Sequence, residues 1–404
     1  MAKTGEPHTA AGRLDEQSGM SGVFASSFDA ALQQFGIPRD VLTLALRHCA
    51  ETDRYPLLGI SSVDRIKIYL DVKDWVALAK ARLGRPESPQ DEAAYKALRA
   101  ATRAGEAIVF LTAATYMEVA RISSLRQRTD LANVIAEITG FAAISGRSTV
   151  VQHQLQTALA TRFGGQPPAP IAVLGIGQPF AVGVRGAFVL RQKGGGTPDL
   201  PAAQVRAIET IVRVTGEYTM LRGPAPEELP DLRARGYRPE NVAAVEEARL
   251  KREKELAEML KDGTADRDRL GDLVHARYLY WELAHHLPTA LQPYNMDISD
   301  FYAKGKESLT ELLDDIPSAA INITLADKGF RNSYKSWTGN DIRDADAVSA
   351  AIPYCDIVMT DKYVAAQLAK SPAVARHGTL LLSRLADLNN ALSTLIAARS
   401  TGTP

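Results

Sequence analysis

The chain predicts an α/β fold: a parallel sheet flanked by helices and interrupted by a large helical insertion. Three observations carry this expectation. Short apolar, β-rich runs recur at 66–70, 107–111, 356–360 and 378–382. Helix-like segments follow them, the order that yields parallel strands joined by right-handed crossovers. Between the second and third runs, the stretch 164–316 loses this alternation and reads as inserted material.

Taken in order, residues 1–22 are polar and aperiodic, too poor in apolar surface to offset ordering entropy, and are expected to be disordered. Residues 23–62 form a helical extension with helices at 27–35 and 39–50, broken by Gly36 and Pro38. The first half of the sheet domain spans 63–163. Strand 66–70 leads into helix 72–82, then a break at Gly84 and Pro86, helix 90–103 and strand 107–111. Thr112 is placed to cap a helix carrying Tyr116, Met117 and Glu118. Thr129 is placed to cap another, ended by Gly140.

Residues 164–316 comprise a Gly/Pro-rich loop and the helical insertion. Gly175, Gly177, Gly183 and Gly186 do not match a dinucleotide-binding loop, so the stretch reads as an irregular insertion or as a loop over a site. The charged segment 245–261 reads as a solvated helix. Apolar residues at helical spacing mark 270–287, and Ser299 or Asp300 is placed to cap a helix reaching Leu313. Pro317 opens the second half of the sheet domain, 317–400, with helices at 344–351, 362–370 and 385–397 around the last two strands.

Composition bounds the function. Hydrophobic residues make up 46% and charged residues 23% of 404, an ordinary globular balance. Formal net charge is zero, which argues against indiscriminate coating of nucleic acid and for a restricted substrate. Cys49 and Cys355 suggest no disulfide framework, as expected of a cytoplasmic protein. No run approaches the ~20 apolar residues of a membrane span, and the N-terminus carries no basic-then-apolar leader pattern.

The informative residues are acids that end strands or sit a turn into the next helix: Asp71, Glu118, the cluster Asp341/Asp344/Asp346, and Asp361. A parallel sheet delivers such positions to one edge, where open α/β folds bind ligands. Converging carboxylates repel one another. Mg²⁺ or Mn²⁺, which prefer oxygen ligands, removes the conflict and activates water against a phosphodiester. Each acid also has a structural alternative. Asp361 can cap helix 362–370, and Asp341 or Asp344 can cap helix 344–351. Asp71 is harder to place structurally, because it closes a strongly apolar run. Adjacent His285 and His286 diverge by about 100° on a regular helix, which is poor ligand geometry. Cys355 reads as a buried small residue, and no G-x-S-x-G elbow occurs.

The pattern resembles PIN-like domains, the fold of metal-dependent ribonucleases. The resemblance rests on Ile68-Tyr69-Leu70-Asp71 with Asp74-Trp75, on Phe110-Leu111-Thr112 with Tyr116-Met117-Glu118, and on Trp337 with Asn340-Asp341-Ile342-Arg343-Asp344 before Pro353-Tyr354-Cys355-Asp356 and Thr360-Asp361. It covers 66 to about 160 and 317 to 395, and is closest to large bacterial PIN-like proteins with such an ending. It implies Asp71, Glu118, Asp344 and Asp361 as catalytic metal-holding acids, with Asp341 as a further ligand and Asp346 ranked lower. It implies an Mg²⁺- or Mn²⁺-dependent endoribonuclease leaving 5′-phosphate and 3′-hydroxyl ends. A toxin or anti-phage role follows from the resemblance alone. Thr360 and Asp361 are adjacent here, where small PIN domains often carry an intervening residue. Arg331, Lys335, Trp337, Asn340 and Arg121 are the candidate substrate contacts, since Arg and Lys suit phosphate and Trp can stack a base. RNA is the expected partner. A DNA or structure-specific nuclease and a non-catalytic scaffold are the alternatives, and a homo-oligomer or a regulatory protein partner is left open.

Overall fold

The structure, a computed structural model, describes residues 64–171, 173–177 and 202–400, together with Val41 and Leu44. The strands are β1 (Ile66–Tyr69), β2 (Ala107–Phe110), β3 (Ala142–Ile144), β4 (Leu174–Ile176), β5 (Ile357–Met359) and β6 (Leu380–Leu382). The helices of seven residues or more are α1 (Val72–Arg82), α2 (Pro89–Ala104), α3 (Ala113–Arg121), α4 (Leu125–Thr139), α5 (Arg147–Phe163), α6 (Ala202–Arg222), α7 (Pro239–Asp262), α8 (Leu270–Arg277), α9 (Lys306–Asp314), α10 (Pro317–Arg331), α11 (Gly339–Ala351), α12 (Lys362–Leu368) and α13 (Leu385–Ser400).

The expected α/β architecture is present: four parallel strands in the order β2-β1-β5-β6, flanked by helices. Side chains alternate across the sheet as the two-residue period of a strand requires. Ile66, Ile68, Val109, Ile357 and Met359 enter one core with Trp75, Leu98, Ile135 and Leu388 from α1, α2, α4 and α13. Tyr69, Ile108, Phe110 and Val358 enter a second core with Leu325, Val348 and Leu368 from α10, α11 and α12. Both faces are therefore covered, which is why these runs read as continuous apolar segments. Each large side chain so buried contributes about 1.5–3 kcal/mol.

Capping fixes the helices that matter. Ser88 and Asp91 form a capping box at the start of α2, with Pro89 at its first position. Asp71 caps α1, Thr112 stands at the cap of α3, and Asp361 caps α12.

The structure departs from expectation in several places. A bridge from Leu111 to Ala143 sets β3 beside β2, and β4 pairs antiparallel with β3. Part of the Gly-rich stretch is thus sheet; three-residue strands, one containing Gly175, are too short for a period to show. Ser124 caps α4, while Thr129 lies inside it and donates to the Leu125 carbonyl. The helix expected to reach Leu313 is two pieces: Ile298–Tyr302, capped by Asp297, and α9, separated at Gly305 with φ +86°. Thr338, not an aspartate, caps α11, which begins five residues earlier than expected.

The helical insertion has its own core, built around Leu256, Leu260, Val274, Tyr278 and Leu283 and shared with α5 and α10. The charged segment within it is a helix, α7, but it is not simply solvated. Glu246, Arg249, Glu253, Leu256 and Leu260 recur at helical spacing, and Glu253 is buried. Among the described residues no helix is long and apolar enough to cross a membrane. Of the N-terminal extension only Val41 and Leu44 are described; both are helical and buried, and Val41 joins the first core. Residues 1–22, helix 27–35, the rest of helix 39–50, Cys49 and the Gly-rich run after Gly177 lie outside the described residues.

Candidate metal centre

The strand order defines where a site belongs. From β1 the chain passes to β2 on one side, and from β5 to β6 on the other. The switch point therefore lies between β1 and β5, and open sheets of this kind bind ligands at the carboxyl edge there. Asp71 follows β1 after Leu70, and Asp361 follows β5 after Thr360. Since Tyr69 pairs with Val358, the register continued two residues sets Asp71 beside Thr360. Asp71 Oδ1 accepts from the Val72 amide at 2.6 Å, and Asp361 Oδ1 accepts from the Val364 amide at 2.7 Å. The structural alternative for Asp361 thus holds, and Asp71 caps as well. Capping fixes the orientation of each carboxylate at the switch point.

Glu118 in α3 and Asp344 in α11 complete the group. Burial first, then the charges of Asp71, Glu118 and Asp361, pushes Asp344 up to about 7. Burial and Asp71 push Glu118 up to about 7 against the pull of Arg343 and Arg121. Asp71 is also raised, by burial and more weakly by Asp361, with Lys73 opposing. The four predicted acids therefore stand within electrostatic reach of one another, with too little positive charge to neutralise them.

Asp74 joins them. It is 4% exposed, its Oδ1 accepts from Lys73 at 2.8 Å, and its Oδ2 is buried without a partner. Burial, with a smaller contribution from Asp71, raises it to about 6. Asp74 stands in the resembling motif, but nothing in its spacing marked it as buried.

Does a hard divalent cation fit? The donors are all carboxylate oxygens, one of them orphaned, and the excess charge is negative. Among the described residues no three His, Cys, Asp or Glu side chains stand close enough to hold a metal directly. Mg²⁺ commonly keeps several waters and takes one or two carboxylates, so a looser acidic ring suffices. The chemistry of the donor set fits.

The remaining candidates have partners within the chain. Asp341 is the third residue of the α11 capping box. It accepts from the Thr338 amide and hydroxyl at 2.8 and 2.7 Å, and pairs with Lys335. Burial opposes its charge, but these bonds hold its carboxyl below the usual range, so it differs from Asp344 one turn on. Asp346 belongs to an ion network with Arg147 and Arg249. Arg331 pairs with Asp327 on the exposed end of α10. Asn340 accepts from Arg343, and Arg121 donates to Glu246. Trp337 is only 8% exposed and stacks on Phe330 in the insertion core, with centroids 4.6 Å apart. Its burial removes it as a base-stacking platform. Tyr363, two residues after Asp361 and 43% exposed, is an accessible ring, with Lys335 Nζ 4.9 Å from its centroid.

Two further residues have no role assigned from sequence. Arg343 is buried, donates to Glu246 and Asn340, and its Nε stands 3.7 Å from Glu118 Oε1. Its only sequence signal was its place between Asn340 and Asp344. Glu246 was hidden in the charged helix, where its spacing from Arg249 and Glu253 was the available clue.

The histidines correct another expectation. His285 and His286 lie in a turn after the π-helical segment Tyr278–Leu283, and their rings are 3.8 Å apart rather than divergent. His286 Nδ1 lies 2.6 Å from Gln152 Oε1, and burial lowers its pKa to about 4. Cys355 is buried as expected, and burial pushes its thiol up. Comparison with protein-family models, curated proteins and solved structures finds no match, so the site stands on its geometry and chemistry alone.

Proposed function

We propose that the chain is a PIN-like, Mg²⁺- or Mn²⁺-dependent endoribonuclease whose centre is Asp71, Glu118, Asp344 and Asp361. One observation supports the reading: Asp71 and Asp361 follow neighbouring parallel strands on either side of the switch point, and burial together with the charge of Asp71 pushes both Glu118 and Asp344 to about 7. Perturbed acids without adequate counter-charge are costly unless a cation completes them.

When bound, the cation supplies Lewis acidity and a nucleophilic water at neutral pH. Asp71 and Asp361, oriented by backbone amides, would hold it at the strand ends. Asp344 would close the ring from α11. Glu118, raised to about 7, would accept the proton of the attacking water on a carboxylate oxygen. Arg343, beside Glu118, would offset charge on the phosphate oxygens as the P–O3′ bond breaks, the departing 3′ oxygen taking its proton from solvent. Tyr363 offers a ring on which a base can stack.

The test is cleavage of end-labelled RNA, single-stranded DNA and flap DNA with Mg²⁺ or Mn²⁺. RNA is expected to be cut and the DNA substrates spared. Asp71→Asn should abolish cutting while circular dichroism and the unfolding midpoint show a folded chain. Wild-type rates from a purified Asp71→Asn protein would sink the reading. DNA cleavage alone would change the substrate but keep the chemistry. Absence of heat on Mn²⁺ titration at millimolar concentration would favour a non-catalytic scaffold.

A further inference from the structure

Beside the acidic group lies a seat for an anion, and the chain's own Glu246 sits in it. Arg121 at the end of α3 and Arg343 in α11 each donate to one oxygen of the Glu246 carboxylate. The same carboxylate lies against the first turn of α11. A methyl group added at Gly339 would come within 3.3 Å of Glu246 Oε1 and 3.2 Å of Arg343 Nη1. Two guanidiniums beside a helix N-terminus are the donors that bind phosphate. Arg343 is 5% exposed; its Nε makes no hydrogen bond and lies 3.7 Å from Glu118 Oε1, so this guanidinium links the seat to the acidic group.

The two halves of the helix that delivers Glu246 are held differently. Its later half is anchored by the buried Glu253–Arg277 pair and by Leu256 and Leu260 in the insertion core. Its earlier half is held by ion pairs of Glu246 and Arg249 and is otherwise largely exposed. Val242 and Val245 are 50% and 64% exposed, and a cavity of about 340 Å³ lies between this half, Met117 and Ile342. Glu246 lies within this earlier half.

We infer that Glu246 occupies the position of a nucleic-acid backbone phosphate, and that the first half of α7 must leave Arg121 and Arg343 before a strand can cross the acids. The identity of the anion rests on the nuclease reading; the seat and its internal occupant do not. The helix is then an internal competitor. It keeps the site closed until a strand with enough phosphate contacts displaces it.

Pyrophosphate, titrated calorimetrically without metal, probes the seat directly. Glu246→Ala should bind it roughly tenfold or more tightly than the wild type. Glu246→Gln should gain less, and adding Arg121→Ala should remove the gain. Unchanged or weaker binding by variants that remain folded overturns the inference. Because the Ala variant strips a partner from buried Arg343, the wild type supplies a second measure. Pyrophosphate should speed amide exchange over 239–248 and leave 253–261 unchanged. No change over 239–248 up to the solubility limit overturns it as well. A gain in pyrophosphate binding while neither the wild type nor Glu246→Ala cuts RNA or DNA keeps the seat and removes the nuclease reading. RNA cleavage without that gain does the reverse.

Discussion

Two regions of this molecule bury charge contributed by segments far apart in sequence, and they handle it in opposite ways. Where the insertion meets the sheet domain, Arg147, Arg249 and Arg277 from α5, α7 and α8 meet Glu253, Glu282 and Asp346. The contacts interlock: Arg147 donates to Glu282 at 2.8 Å, and Arg249 reaches both Glu282 and Asp346 at 3.2 and 2.6 Å. Burial opposes the charge on Glu282, but Arg147, Arg249 and Arg277 overcome it and hold the carboxyl well below the usual range. At the switch point, acids outnumber cations, and burial raises Glu118 and Asp344 to about 7. Charges neutralised by fixed partners build a fold. Charges left unneutralised at a sheet edge await something from outside.

Breaking each region should therefore move stability in opposite directions. Glu282→Ala strips the network's most shared acid and leaves buried guanidiniums underpaired, a loss of about 3–5 kcal/mol by urea denaturation. A loss below about 1 kcal/mol would mean the network is not the buttress its geometry indicates.

Asp344→Asn should do the reverse. Its folded pKa, about 7, lies above the ordinary 3.8, so the folded state binds the proton more tightly than the unfolded chain. The penalty for charging it is absent below about pH 4, grows between about pH 4 and 7, and is complete above that. At pH 8 without metal, the neutral amide should stabilise the fold by roughly 1–3 kcal/mol, and near pH 4 the advantage should vanish. A variant less stable than wild type at pH 8 in chelator would contradict the repulsion. Saturating Mn²⁺ should stabilise the wild type by about 2.7 kcal/mol at a hundredfold excess over its dissociation constant. Asp344→Asn should respond less.

The sheet was legible because its strands are buried on both faces, so 66–70, 107–111 and 356–360 read as apolar runs. Asp71 and Asp361 were legible because each acid follows such a run directly, and strand ends are where a sheet collects its ligands. Arg343 and Glu246 were not. Their pairing spans 97 residues, and a periodicity that counts only apolar side chains hides a stripe that begins with Glu246, Arg249 and Glu253. Trp337 misled for a related reason. Its nearness to the acids in sequence suggested a substrate contact, whereas Phe330 on the preceding helix draws it into a core. Charge pairing across an insertion and the choice of buried face are tertiary facts without a local signature.

The smallest expected effect separates two acids on one helix. Asp341 and Asp344 are three residues apart in α11, and the sequence sets both at the metal, Asp344 as a catalytic acid and Asp341 as a further ligand. Asp341, however, is committed to Thr338 and Lys335. Its folded pKa is lowered, so its contribution is present above the unfolded pKa and is lost as pH falls through the folded one. Asp341→Asn should cost about 1 kcal/mol at pH 7 through the capping box, and nothing once both forms are neutral in acid. Its RNA cleavage rate should stay within about threefold of wild type, a change of roughly 0.7 kcal/mol in the barrier. A loss of cleavage as deep as that of Asp344→Asn, at unchanged stability, would move Asp341 from the helix cap into the metal centre and erase the distinction between a neutralised and an unneutralised acid on which the site rests.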